Sequence, residues 1–358
     1  MVKPQRLKKG DKVAIVSLSR GILGMPFCKH ELDLGLKRLK EFGLEPVLMP
    51  NALKDMDYIK DHPEVRASDL KEAFLDDSIK AIITAIGGDD TYKTIPYLME
   101  DEEFKTAVIE HPKIFTGFSD TTNNHLMLNR LGLSTFYGPC FLVDLAELDT
   151  EMLPYTKKHF EKFFEIEDGF EIASSPVWYG ERKSFGSEEV GKPRKVHEET
   201  RGFETLNGKG IAIGKLYGGC IESIYDMFDG TRYADEPAVY EKYQILPTED
   251  EWKEKILFIE TCEELSSPEK LEKMLGVLKD RNILKWVKGV IVGKPMDEKY
   301  YDEYKTVYKK VFADLDTPVL YNINFGHAVP RCLIPYDAEA TIDYDKQKIF
   351  INGPILEK

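Results

Sequence analysis

Apolar residues along the 358-residue chain fall into two blocks in which short continuous runs alternate with stretches of helical period. In the first block, 12–17 (Lys-Val-Ala-Ile-Val-Ser) is a compact apolar run that predicts a strand. Residues 30–42 then place Leu32, Leu36, Leu39 and Phe42 at helical spacing before Gly43 ends the helix. The pattern recurs as strand 45–49, helix 63–74 opening on Pro63, strand 79–86, helix 91–99 and a short strand at 113–116. Strands alternating with amphipathic helices predict an α/β domain with a mostly parallel sheet covered on both faces, in which ligands bind beyond the carboxyl ends of the strands.

The second block begins with strand 210–216, a Gly218-Gly219 turn and helix 221–228. It continues with the buried strand 255–259 terminating in Glu260, helix 268–278, strand 288–292, helix 298–312 and strand 318–320. Period-two alternation over 340–351, around Asp345-Lys346, predicts a hairpin. Between the blocks, 141–151 has no clear period and 154–164 reads as a connecting helix. Residues 174–208 are polar, glycine-rich and dense in charge, and predict a long loop without a core element. The expected division is an N-terminal α/β domain over 1–165, an interdomain loop over 166–208 and a C-terminal β/α domain over 209–358.

A net charge of −14 disfavours nucleic acid as a partner, because affinity for phosphate backbones rests on Lys and Arg. No apolar run is long enough to cross a bilayer, so no membrane partner is expected, and the basic start leads into no signal-type apolar region, which predicts a cytoplasmic location. Cys28, Cys140, Cys220, Cys262 and Cys332 are far apart and odd in number, with no Cys-x-x-Cys spacing. That pattern argues against a disulfide framework and against a zinc cluster, and predicts reduced thiols.

Candidate chemistry concentrates at 113–124, Lys-Ile-Phe-Thr-Gly-Phe-Ser-Asp-Thr-Thr-Asn-Asn. Ser119 sits at the tip of a strand-to-helix turn, a placement like a nucleophile elbow, with the Asp120 amide able to point at an oxyanion. The G-x-S-x-G pattern is not met, since Thr121 stands two after Ser119, and the same residues also make a plain capped turn. Upstream, Gly87-Gly88-Asp89-Asp90-Thr91 follows a strand; Gly88 reads either as a second oxyanion donor or as a turn needing glycine for its own geometry. No G-x-G-x-x-G dinucleotide fingerprint is present. Glu260 is a carboxylate ending an apolar strand, where a charge needs a partner, while Glu263 and Glu264 read as solvated loop. His327 lies in an Asn/Gly/Pro-rich loop after a strand and is the best base for Ser119. His125 lies six residues up a helix from Ser119, about 240° of rotation and about 9 Å of rise away, so it points elsewhere. Trp178 and Tyr179 head the polar stretch, either as an anchor packing it down or as a platform on which a flat ligand stacks.

Together Gly117-Phe118-Ser119-Asp120, the Gly87-Gly88 turn, Gly218-Gly219 with Gly230-Thr231, Leu257-Phe258-Ile259-Glu260 and Phe325-Gly326-His327 with Pro330 resemble the LD-carboxypeptidase family of serine peptidases. The resemblance implies a Ser-His-Glu triad of Ser119, His327 and Glu260, an oxyanion hole from the Gly88 and Asp120 amides, a Rossmann-like N-terminal domain, a C-terminal swivelling β/α domain and a homodimer, with no metal and no cofactor. Two branches compete. Ile86 in place of an Arg before the glycine turn, the continuation Asp89-Asp90 and the long segment carrying Trp178 are similar to the microcin C immunity branch, which hydrolyses an amide of a peptidyl- or aminoacyl-nucleotide. On that reading Gly87, Asp89, Asp90 and Trp178 line the substrate. The alternative is a muramoyl-tetrapeptide LD-carboxypeptidase, and outside the enzymes a ligand-binding protein without turnover. A cysteine glutaminase of similar topology would need a cysteine where Ser119 stands. Cys220, where the family commonly has Asn or another small residue, departs from the pattern.

Overall fold

The computed structural model describes residues 1–358 and divides into two compact units, 1–166 with 182–194 and 355–358, and 167–181 with 195–354. Both are mixed α/β. In the first, β1 (Lys12–Val16), β2 (Glu45–Leu48), β3 (Ile79–Thr84), β4 (Ile114–Gly117) and β5 (Phe136–Tyr137) pair in parallel in the spatial order β5-β4-β3-β1-β2. Parallel neighbours require crossovers, and helices such as Lys29–Glu41, Pro63–Leu75 and Glu102–Glu110 supply them. Coverage on both faces leaves Val13, Ala14, Ile15 and Val16 without solvent exposure. The chain reverses its direction of winding at β1, so the segments leaving β1, β3 and β4 open at the carboxyl edge where such sheets hold ligands.

The second unit is built on an eight-stranded sheet, in spatial order Phe170–Ile172, Lys348–Ile351, Glu339–Asp343, Ile211–Cys220, Lys255–Glu260, Gly289–Gly293, Val319–Ile323 and Glu204–Asn207. The four strands from Ile211–Cys220 to Val319–Ile323 are parallel to one another and the flanking ones antiparallel. The strands Lys255–Glu260, Gly289–Gly293 and Val319–Ile323 are buried on both faces, hence the unbroken runs Ile256–Ile259 and Val290–Val292.

The stretch 174–208 is more ordered than its composition suggests. Val177–Tyr179 and Val196–Glu198 form an antiparallel hairpin, and Glu204–Asn207 joins the edge of the large sheet. These strands are three or four residues long and half exposed, so they carry no period-two apolar signature. The polar segment 182–194 is held by buried charge: Arg182 and Arg194 each reach Glu147 at 2.6 Å, with all three side chains at most 4% exposed. The short helix Met56–Asp61 and the strands Phe136–Tyr137 and Phe170–Ile172 were likewise too short to register as periodic segments. No helix is long and apolar enough to cross a membrane.

Candidate active site

The turn after β4 places Ser119 in the left-handed region, φ +64°, a conformation that costs a non-glycine residue on the order of 1–2 kcal/mol. Surrounding contacts fix it there. The Ser119 amide donates to the Tyr137 hydroxyl at 3.0 Å and its carbonyl accepts from the Thr122 hydroxyl at 2.7 Å. The Asp120 carboxylate accepts the Thr91 amide at 2.9 Å and the Asn123 side-chain amide at 2.6 Å, which joins the β3 turn to the β4 turn. Burial pushes the Asp120 carboxyl up to about 6, against the Thr91 amide, which pulls it down.

Glycine is required opposite the serine. A Cβ on Gly87 would lie 2.8 Å from Ser119 Cβ and 3.1 Å from its Oγ, so the Gly87-Gly88 backbone and the hydroxyl share one small space. Ser119 and Asp120 open the short helical turn Ser119–Thr121 leading into the helix Thr122–Arg130, and amides at such a start have no intrahelical acceptor. The turn therefore holds a hydroxyl beside two segments of backbone with amides free of helical acceptors.

His125 is excluded as a base by its surroundings. Its Nε2–H donates to the Gly117 carbonyl at 3.0 Å and its Nδ1 accepts from the Thr135 hydroxyl at 2.8 Å. Burial drives its pKa down to about 3, so the ring is a neutral packing element.

In the second unit, the last residue of strand Lys255–Glu260 meets the loop after strand Val319–Ile323. His327 Nδ1 lies 2.8 Å from Glu260 Oε2 and 3.1 Å from Oε1, and the His327 amide donates to Oε2 at 3.1 Å. Gly326, at φ +78°, permits this approach: a Cβ there would fall 2.2 Å from the Glu260 carboxyl carbon. On the other ring nitrogen, Nε2 is 2.9 Å from Glu263 Oε2. Burial alone would lower the imidazole pKa, but Glu260 and then Glu263 outweigh it and hold His327 well above its ordinary value. Glu260 thereby fixes both the ring orientation and the tautomer, since the proton on Nδ1 faces a carboxylate.

The remaining residues expected at the site divide by environment. Asp90 is buried in an ion pair with Arg66 at 2.7 Å, and its amide and that of Asp89 both donate to the Ser19 hydroxyl. Asp90 therefore shapes the Gly87–Thr91 turn from beneath. Trp178 is half-buried on the hairpin, its indole stacked on His197 with centroids 3.9 Å apart and planes 7° from parallel, and Lys294 Nζ lies 5.3 Å from the ring centroid.

Family models for the LD-carboxypeptidase N-terminal domain and the LD-carboxypeptidase C-terminal domain match residues 13–138 and 213–342. The chain belongs to the LD-carboxypeptidase family. As a member it is a serine carboxypeptidase or amidase, a hydrolase. A probable murein peptide carboxypeptidase of Bacillus subtilis is 27% identical over 99% of this chain and 96% of its own length. The microcin C7 self-immunity protein MccF of Escherichia coli is 26% identical over 81% of this chain and 79% of its own length. Among solved structures, an MccF-like protein from Streptococcus pneumoniae in complex with AMP superposes with a TM-score of 0.90 at 46% identity, covering 96% of this chain and 99% of that one.

Several groups around the candidate residues of this LD-carboxypeptidase family member carry no sequence signal. Glu263 reads as solvated loop, and its side chain is indeed 58% exposed, yet its carboxylate reaches an imidazole 64 positions away. Tyr137, on a two-residue strand, meets the Ser119 amide only because β5 lies beside β4. Arg66 lies on the buried face of helix Pro63–Leu75 and carries its guanidinium to Asp90 with no solvent exposure. The sole hint for any of these is general: a buried charge must find a partner.

Proposed function

We propose that this chain hydrolyses an amide bond through an acyl-enzyme, with Ser119 as nucleophile, His327 as base, Glu260 orienting the imidazole, and the Gly88 and Asp120 amides receiving the oxyanion. The observation that carries this reading is the left-handed backbone of Ser119, packed against Gly87 at the carboxyl edge of a parallel sheet. His327 Nε2 takes the hydroxyl proton as Oγ bonds the carbonyl carbon. The C–N bond then breaks, with the proton passing to the leaving amine, and water attacks the ester in the same way. Because Nε2 faces Glu263, the imidazolium must first lose a proton there to serve as a base.

For the substrate, the reading is an aminoacyl- or peptidyl-nucleotide, with the half-buried Trp178 as the aromatic surface on which the base stacks. The 46% identical neighbour in complex with AMP supports it. A muramoyl tetrapeptide is the second reading, favoured by the full-length match to a probable murein peptide carboxypeptidase. Offering purified protein both an aspartyl sulfamoyl adenosine and an LD-tetrapeptide separates them: cleavage of the nucleoside conjugate is expected, and cleavage of the tetrapeptide alone overturns the first reading. A fluorophosphonate adduct on Ser119, read by intact mass, is expected of the hydrolase; a protein that binds without turnover forms none. The same reading carries a homodimer, which sedimentation would register.

A further inference from the structure

Cys220 and Cys262, 42 positions apart, come together in the second unit around one carboxylate. Cys220 closes strand Ile211–Cys220 and precedes helix Ile221–Asp229, whose first turn carries Glu222; Cys262 lies two residues beyond strand Lys255–Glu260. Register places Cys220 directly beside Glu260. The two sulfurs and a Glu222 oxygen lie within 4.8 Å of one another, and the residues are 2%, 6% and 4% exposed.

Glu222 shows what is unusual. Its Oε2 accepts the Cys262 amide at 3.1 Å and lies 3.4 Å from Cys220 Sγ, while Oε1 accepts the Ser266 hydroxyl at 2.8 Å. All three are neutral donors. A buried carboxylate hydrogen-bonded only to neutral donors, with the Lys270 ammonium acting on it through space, keeps an oxygen able to ligate a cation.

We propose that Cys220, Glu222 and Cys262 form a binding site for a thiophilic divalent cation of the zinc class. Zinc bonds of about 2.3 Å to sulfur and about 2.0 Å to oxygen give a tetrahedral S···O edge of about 3.5 Å and an S···S edge of about 3.8 Å. The 3.4 Å between Cys220 Sγ and Glu222 Oε2 already sits at that edge, and the remaining atoms are within a small side-chain adjustment of it. Two sulfurs and one carboxylate select zinc-like ions over magnesium or calcium, which prefer all-oxygen shells. Ser266 orients the carboxylate from outside, and the Tyr304 hydroxyl in turn donates to the Ser266 carbonyl. Binding exchanges the thiol protons for the metal, so it strengthens as pH rises. The ion would tie the strand end that carries Glu260 to its neighbour, as a structural staple outside the acyl-transfer steps, and the site does not depend on the hydrolase reading.

The test uses the full chain, kept reduced with a phosphine, freed of metal by chelation and dialysis, then titrated with Co²⁺. A saturable thiolate-to-cobalt charge-transfer band with tetrahedral d–d absorption, displaced by Zn²⁺, is expected in the parent and in the Cys28→Ser control, whose thiol lies outside the cluster. Cys262→Ser and Cys220→Ser should abolish the band, and Ser266→Ala, which leaves all three ligands in place, should weaken cobalt binding about 10- to 100-fold. Circular dichroism of metal-free variants verifies that they are folded. No charge-transfer band in the folded, reduced parent at excess Co²⁺, or a band that survives in folded Cys262→Ser, overturns the proposal.

Discussion

Replacing Gly326 with alanine tests the geometry of the candidate base most directly. The added Cβ would lie 2.2 Å from the Glu260 carboxyl carbon and 2.4 Å from Oε2, whereas nonbonded carbons rest about 3.5–4 Å apart, so the carboxylate must move by more than about 1 Å. It has little room. Glu260 is 1% exposed, and on its other side Gly293 approaches so closely that a Cβ there would stand 2.6 Å from Glu260 Cβ. The displaced carboxylate gives up the Nδ1 contact at 2.8 Å and the amide bond at 3.1 Å. Breaking a buried pair costs about 3–5 kcal/mol, and left-handed backbone at alanine adds about 1–2 kcal/mol, which lowers the melting temperature by on the order of 10 °C. A 1 Å misplacement costs about 10²-fold, and losing the residue that orients a catalytic histidine costs up to about 10⁴-fold. The assay is the rate of fluorophosphonate addition to Ser119 by intact mass at 25 °C, with circular dichroism to verify folding. Gly276→Ala serves as control, since nothing lies within 4 Å of its Cβ. A folded Gly326→Ala protein labelled within about threefold of the parent would refute the reasoning, given the 10²-fold scale of such displacements.

Ser119→Gly should abolish labelling yet raise stability by about 1 kcal/mol, because φ +64° costs glycine nothing; an unchanged or lower melting temperature would mean the turn is not strained. Glu263→Gln removes one of the carboxylates that raise the His327 pKa, so the acid limb of the labelling rate should move to lower pH. Glu263 is largely exposed, which discounts its effect to about 0.5–1 kcal/mol or roughly half a pH unit, and a limb that stays or moves upward contradicts the assignment. Trp178→Ala should weaken AMP binding by about 1–3 kcal/mol, roughly 5- to 150-fold by calorimetry, if the indole is a stacking platform; equal affinities would leave it an anchor for the hairpin.

Much of the architecture was legible along the chain because the relevant forces are local. Unbroken apolar runs marked the strands buried on both faces, helical spacing marked the crossovers, and a carboxylate ending an apolar strand singled out Glu260. Gly87 and Gly88 marked a turn after a strand where backbone can approach a ligand. Positions 174–208 resisted because their order comes from distant charge: Glu147 lies 35 and 47 residues from the arginines it holds.

The sequence by itself determined the strands buried on both faces and the helices that cross between them, and it placed Ser119 and His327 in turns after strands and Glu260 at a strand end. Only the tertiary structure decided that Ser119 takes a left-handed backbone, that Glu263 occupies the second nitrogen of His327, and that two cysteines without a metal-binding spacing close around Glu222. The physical reason is range. Propensity and periodicity act over a few neighbouring residues, whereas these contacts join positions tens of residues apart and exist only once strand register has set which side chains face each other.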